Sequence, residues 1–123
     1  MTGLLDTSVV IGPPDPSLPD ELAISVMSLA ELRLGVLIAK DANSRAARLT
    51  RLGEIERLYA PLPIDDDVAN AYAGIVAAER ERGRKPRVQD VLIAATALAN
   101  GMTLYTRDED QARMRGIDVK LLR

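Results

Sequence analysis

Short apolar runs alternate with longer amphipathic ones along this chain, and polar, Gly- or Pro-bearing breaks separate them. Thr2–Leu5 predicts a short buried strand, followed by a helical turn at Val9–Ile11 and a Pro-rich loop over Gly12–Pro19. Glu21–Ile24 predicts a second strand. Ser28 then opens a helix to about Lys40, with Leu29, Leu32, Val36 and Leu37 at helical spacing. Beyond a polar break at Asp41–Ser44, Arg45–Leu58 predicts another helix, with Ala46, Leu49, Leu52 and Ile55 inward and Pro61 as its stop. Leu62–Ile64 predicts a strand, and Asp65–Asp67 cap a helix over about Val68–Arg82 that buries Val68, Ala71, Tyr72, Ile75 and Val76. Gly83–Pro86 ends that helix. Val88–Asn100 is the most apolar helix (Val91, Leu92, Ala94, Ala95, Leu98), with Gly101 as its C-terminal stop. Thr103–Tyr105 predicts a strand, Glu109–Arg115 a short helix and Val119–Leu122 a last strand.

Strands that alternate with helices predict an α/β domain with a mostly parallel central sheet covered on both faces. Ligands in such sheets bind beyond the C-terminal strand ends, where the strand order reverses. The 123 residues show no composition break and no repeat, so the expectation is a single domain over 1–123. No run approaches the ~20 apolar residues of a membrane span, and no basic-then-apolar start marks a signal peptide, so a soluble, cytoplasmic protein is expected.

Composition narrows the chemistry. With no Phe, no Trp and three Tyr, the core must be aliphatic. The absence of Cys and His removes thiolate nucleophiles, zinc–sulfur sites and imidazole bases. Any metal must sit among oxygens, which points to Mg²⁺ or Mn²⁺. A net charge of −2 neither announces nor excludes nucleic acid, since a local basic face suffices.

Four acids stand where the sheet edge should be. Asp6 closes the first strand; it also suits an N-cap for the turn that follows. Glu31 lies in Ser28-Leu29-Ala30-Glu31, which matches a capping box. Asp90 falls in the first turn of the apolar helix, where a carboxylate also meets the helix dipole favourably. Asp108 follows the Thr103–Tyr105 strand, ahead of Glu109 and Asp110. Asp65, Asp66 and Asp67 are rivals, read as a helix N-terminus. Carboxylates brought close repel one another unless a cation neutralises them. A divalent ion there would supply phosphodiester hydrolysis without His or Cys. Ahead of Asp90 runs a basic stretch, Arg80, Arg82, Arg84, Lys85 and Arg87, which is either a solvated loop or a phosphate-contacting rim. Arg45, Arg48 and Arg51 are further candidates for steering a polyanion.

Leu5-Asp6-Thr7-Ser8, Ser28-Leu29-Ala30-Glu31-Leu32, Asp90-Val91-Leu92-Ile93-Ala94-Ala95-Thr96-Ala97 and Leu104-Tyr105-Thr106-Arg107-Asp108 together resemble a PIN-domain ribonuclease, above all the VapC-type toxins of bacterial toxin–antitoxin pairs. Leu62-Pro63-Ile64-Asp65 and Ala71-Tyr72-Ala73 resemble the family at structural positions. The resemblance spans the whole chain in order. It implies a three-layer α/β/α PIN-like domain and metal-dependent endoribonuclease activity. It implies that Asp6, Glu31, Asp90 and Asp108 form the acidic quartet for Mg²⁺ or Mn²⁺, with Thr7, Ser8 and Thr106 as orienting hydroxyls. Arg84, Lys85 and Arg87 are the expected RNA contacts. The implied partners are RNA, a second copy of the chain and a cognate VapB-type antitoxin, giving a heterotetramer or larger. The antitoxin would lie in a clip formed by the helices Leu29–Lys40 and Arg45–Leu58. One departure is Gln111, where an aromatic is common, which bears on packing of the last helix.

Two other readings use the same scaffold. A phosphoacceptor signalling domain would use Asp65 as acceptor with Asp6 holding Mg²⁺, but Thr7 and Ser8 stand where its second acid belongs. A catalytically inactive binding module would keep the fold without the chemistry.

Overall fold

The computed structural model describes residues 2–123. Its centre is a five-stranded sheet in the order β3-β2-β1-β4-β5, parallel throughout. The strands are β1 (Thr2–Leu5), β2 (Glu21–Ser25), β3 (Pro61–Leu62), β4 (Thr103–Thr106) and β5 (Val119–Leu121). The helices are α1 (Thr7–Val10), α2 (Val26–Leu37), α3 (Ala42–Leu58), α4 (Asp66–Glu81), α5 (Val88–Ala99) and α6 (Glu109–Ala112). The chain builds outward from β1 to β2 and β3, then returns to the other side of β1 for β4 and β5. The order therefore reverses between β1 and β4, where a crevice opens beyond their C-terminal ends.

Alternation along the strands divides the interior into two cores. Leu4 and Leu104 face α4 and α5, and pack with Val68, Ile75, Val91, Ile93 and Ala94. Leu5 and Tyr105 face the opposite way, toward Val9, Val10, Ile24, Ile55 and Leu122. This is the expected α/β/α arrangement. The Tyr105 ring lies directly over Gly3, where a Cβ would stand 2.6 Å from Cε1.

Several boundaries differ from the sequence-based expectation, for local reasons. The first helical turn begins at Thr7, not Val9, because Asp6 caps it. Helix α2 is capped by Ser25, whose Oγ accepts from Met27 N, not by Ser28. The helix ends at Leu37 rather than Lys40, and α3 starts at Ala42 rather than Arg45 because Asp41 accepts from Ser44 N. Strand β3 is Pro61–Leu62, not Leu62–Ile64; Pro61 opens an edge strand, which tolerates a missing donor. Helix α6 stops at Ala112, short of Arg115. Leu37 (74% exposed), Leu49 (56%), Ala46 and Leu98 are not inward. Gly101 does end α5, with φ of 65° that other residues adopt only at a cost.

Candidate active site

Asp6 leaves β1 at the crevice and is only 5% exposed. Its Oδ2 accepts from Ser8 Oγ at 2.6 Å and from Thr106 Oγ1 at 3.0 Å. Each hydroxyl is itself fixed from the β4 side. Ser8 Oγ accepts from Arg107 N at 3.1 Å, and Thr106 Oγ1 accepts from Asp108 N at 3.0 Å. Two neighbouring strand ends are thus stitched through one carboxylate oxygen. A hydroxyl can donate to a carboxylate while accepting from an amide, so Ser and Thr suit this place and apolar residues do not.

Thr7 turns to the other side. Its Oγ1 donates to Glu31 Oε1 at 2.7 Å and lies 3.0 Å from Ser28 Oγ. Because Ser25 caps α2, the capping-box role expected of Ser28 and Glu31 is not realised. Ser28 is buried, and Glu31 meets α1 instead. Asp90 enters from α5 and is 9% exposed. Both its oxygens are engaged by Arg87: Nε donates to Oδ2 at 3.0 Å and Nη2 to Oδ1 at 3.2 Å. Asp108 caps α6, accepting from Asp110 N at 2.8 Å.

The electrostatics tie these acids together. Burial pushes the Asp90 carboxyl above the ordinary aspartate range. Arg87 pulls against that shift, while the charges of Asp6 and Asp108 reinforce it. Arg87 is held above its own ordinary range first by the bond to Asp90, with Glu31 and Asp108 adding. Asp6 and Asp108 thus lie close enough to Asp90 for their charges to act on it, and Glu31 adjoins Asp6 through the neighbouring Thr7. Among the described residues, however, no three carboxylates stand at the spacing of a shared ion. The donor set fits a hard divalent cation: every available ligand is oxygen, and Asp6 and Asp90 are buried where uncompensated charge is costly.

A cleft of about 620 Å³ adjoins the acids, lined by Arg84, Lys85, Arg87 and Arg113 beside Asp90 and Asp108. Of the basic stretch, Arg84, Lys85 and Arg87 thus lie beside Asp90 and Asp108, while Arg80 and Arg82 do not line this cleft. Arg48 and Arg51 are not part of it. They donate to Gly35 O and Val10 O, at 2.6 and 2.8 Å, and line a second hollow between α1, α2 and α3. Asp65 has a separate role: it caps α4 beyond the edge strand β3, accepting from Val68 N at 3.0 Å. Asp66 and Asp67 follow it in the first turn.

Two contacts with Asp90 escape the sequence reading, although both residues stand out there for other roles. Arg87 is three residues before Asp90, a legible helical spacing, yet its pairing depends on α5 starting at Val88. Gln111, expected to bear on packing alone, is buried, and its Nε2 donates to Asp90 O at 2.9 Å. A polar amide replaces aromatic packing with a bond that ties α6 to the first turn of α5.

Residues 4–117 match the family model described as PIN domain. Ribonuclease VapC5 of Mycobacterium tuberculosis is 38% identical over 120 residues, covering 93% of this chain and 88% of the relative. Toxin FitB of Neisseria gonorrhoeae is 33% identical over 120 residues, covering 85% and 86%. A crystal structure of VapBC-5, a member of the VapBC toxin–antitoxin systems from M. tuberculosis, superposes with a TM-score of 0.89 at 40% identity, covering 99% of this chain and 98% of that one. A phosphoacceptor domain is thereby set aside, in keeping with the capping role of Asp65. Fold, strand-end acids and relatives agree: the chain belongs to the PIN-domain family, in its VapC branch.

Proposed function

We propose that the protein is an endoribonuclease toxin that hydrolyses RNA phosphodiester bonds in the cytoplasm with Mg²⁺ or Mn²⁺, and that a VapB-type antitoxin silences it. The observation that carries this reading is Asp6, buried at the reversal of strand order and locked between β1 and β4 by Ser8 and Thr106, with Asp90 and Asp108 close enough for their charges to act on one another. The names of its relatives, ribonuclease and toxin, support it.

In this reading the four acids would hold the ion, and Asp6 and Asp108 would do so while also capping α1 and α6. When bound, the divalent ion supplies Lewis-acid activation of water and neutralises charge at the phosphate. Ser8 and Thr106 fix the rotamer of Asp6, and Thr7 fixes that of Glu31. Such fixed ligands spare the site reorganisation during reaction. Arg84, Lys85 and Arg87 hold the RNA backbone along the cleft. Arg87 serves two groups, since the same guanidinium neutralises Asp90 when no phosphate is present.

The antitoxin reading is supported by the second hollow. It runs from Ile11, Leu32 and Gly35 to Glu31, one of the four acids, and Leu34, Leu37 and Ile38 are further exposed apolar residues at the C-terminal end of α2. An amphipathic antitoxin segment laid there would reach the site from the side opposite the basic rim. Family membership further suggests a homodimer, and a heterotetramer or larger with antitoxin.

The test is cleavage of a mixed structured RNA pool by the purified, antitoxin-free chain with Mg²⁺, Mn²⁺ or EDTA, beside Asp6→Asn. Discrete cutting that needs both metal and Asp6 is the expected result. A folded protein that cuts under no metal would instead be a binding module.

A further inference from the structure

Glu79 is a charged side chain with no place in the mechanism above, and it is fully buried at 0% exposure. It lies on the inward stripe of α4, four residues after Ile75 and on the same face as Val68. Its Oε2 accepts from Arg82 Nη1 at 2.7 Å, and its Oε1 lies 3.6 Å from Arg84 Nε. The Glu79 carbonyl accepts from Arg84 N at 2.8 Å and from Arg82 N at 3.1 Å. Between the two arginines, Gly83 has φ of 71°, which folds the chain back so that both reach one carboxylate. From there the arginines reach across to the opposite wall. Arg84 Nη2 donates to Asp110 O at 3.2 Å and Arg82 Nη1 to Arg113 O at 3.3 Å. Arg84 lines the acid-floored cleft and also a smaller cavity of about 330 Å³ behind it.

Packing alone does not call for this acid. An apolar side chain on the stripe would serve the core at least as well, because desolvating an ion pair often cancels its attraction. What the acid does here is hold a loop that an apolar residue would leave free. We propose that Glu79 is a positioning residue of the RNA-binding rim: it clamps Arg82 and Arg84 so that the Arg84 guanidinium stands in the cleft as a phosphate contact. Arg82 is the strut of the clamp and Arg84 its working end. The inference rests on the ribonuclease reading and adds a residue that touches neither RNA nor metal.

Charge counting and positioning predict opposite signs, which makes the test sharp. Removing a carboxylate beside a polyanion site should tighten RNA binding if only net charge matters. It weakens binding if the carboxylate positions the contact. The experiment measures Kd for a fluorescent single-stranded RNA across a salt series, in the Asp6→Asn background so that nothing is cut. R84Q is expected to weaken binding and to lower the slope of log K against log salt by about 1, the value for one phosphate contact. E79Q is expected to do the same, and E79Q with R84Q to do no more than either alone. In the cutting-competent chain the E79Q loss should fall on KM more than on kcat. Tighter or unchanged binding by E79Q, or losses that add in the double variant, would overturn the inference. R84Q alters only a partly exposed side chain, so an unchanged slope there overturns it even if E79Q does not fold. Failure of the unaltered chain to cut RNA and of the Asp6→Asn chain to bind it would instead sink the ribonuclease reading itself.

Discussion

Thr106→Val is the most informative single substitution at the crevice. The hydroxyl is fully buried, donates to Asp6 Oδ2 at 3.0 Å and accepts from Asp108 N at 3.0 Å. Valine has nearly the same shape, so no cavity confuses the result. A hydrogen bond to a charged group contributes about 1.5–3 kcal/mol. An amide left without its partner costs about 1–3 kcal/mol, at the low end here because the Asp108 bond is only partly buried. Burying a methyl in place of the hydroxyl returns roughly 0.8 kcal/mol. The net expectation is a loss of about 2–4 kcal/mol, or roughly 8–15 °C in Tm for a domain of this size. Urea and thermal unfolding in EDTA measure it, and Thr106→Ser, which keeps both bonds, should lose far less. Mn²⁺ titrated into the same proteins should bind Thr106→Val more weakly, because Asp6 then depends on Ser8 alone. A Thr106→Val protein that melts within about 2 °C of its parent would refute the claim that this oxygen stitches β1 to β4.

Other outcomes follow from the same geometry. Asp90→Asn should stabilise the metal-free protein at neutral pH, because burial raises the carboxyl's pKa in the fold and its ionised form is therefore the disfavoured one. That gain is fully present above the raised value and should vanish as pH falls below the ordinary 3.8, which melting curves between pH 3 and pH 7 would show. Mn²⁺ should raise Tm in a concentration-dependent way in the unaltered chain, by mass action on the folded state, and much less in Asp6→Asn. Gly3→Ala places a Cβ 2.6 Å from the Tyr105 ring and should cost about 1–3 kcal/mol, read by urea denaturation. Ile11→Asp, on an exposed residue that lines the second hollow, should leave RNA cutting intact but weaken its inhibition by antitoxin, measured by adding antitoxin to the cleavage assay.

Much of this protein is legible in the order of its residues alone. The short continuous apolar runs of β1 and β4 and the period near 3.6 in α4 and α5 are legible from apolar spacing, and with them the parallel α/β class. Asp6 and Asp108 are legible for the same reason: each is the first acid after a buried strand, and parallel strands end on one side. Without His or Cys, the chain also dictates that any metal site be made of oxygens. Helix ends are less legible, since competing caps stand close together. Ser25 and Ser28 both fit a cap, and only the length of β2 decides for Ser25.

Long-range partners are not legible at all. No local pattern says that Thr106 meets Asp6, 100 residues away, or that the Gln111 amide reaches Asp90 O. Glu79 shares the inward face of α4 with Val68 and Ile75, yet no local pattern says that it meets two arginines that Gly83 folds back. Leu37 and Leu49 read as core until α2 and α3 leave them exposed. The amino-acid sequence determines which groups are apolar, acidic or flexible, because those are properties of single residues and their near neighbours. The tertiary structure alone decides which polar groups are desolvated together, because that depends on which elements the sheet order makes adjacent.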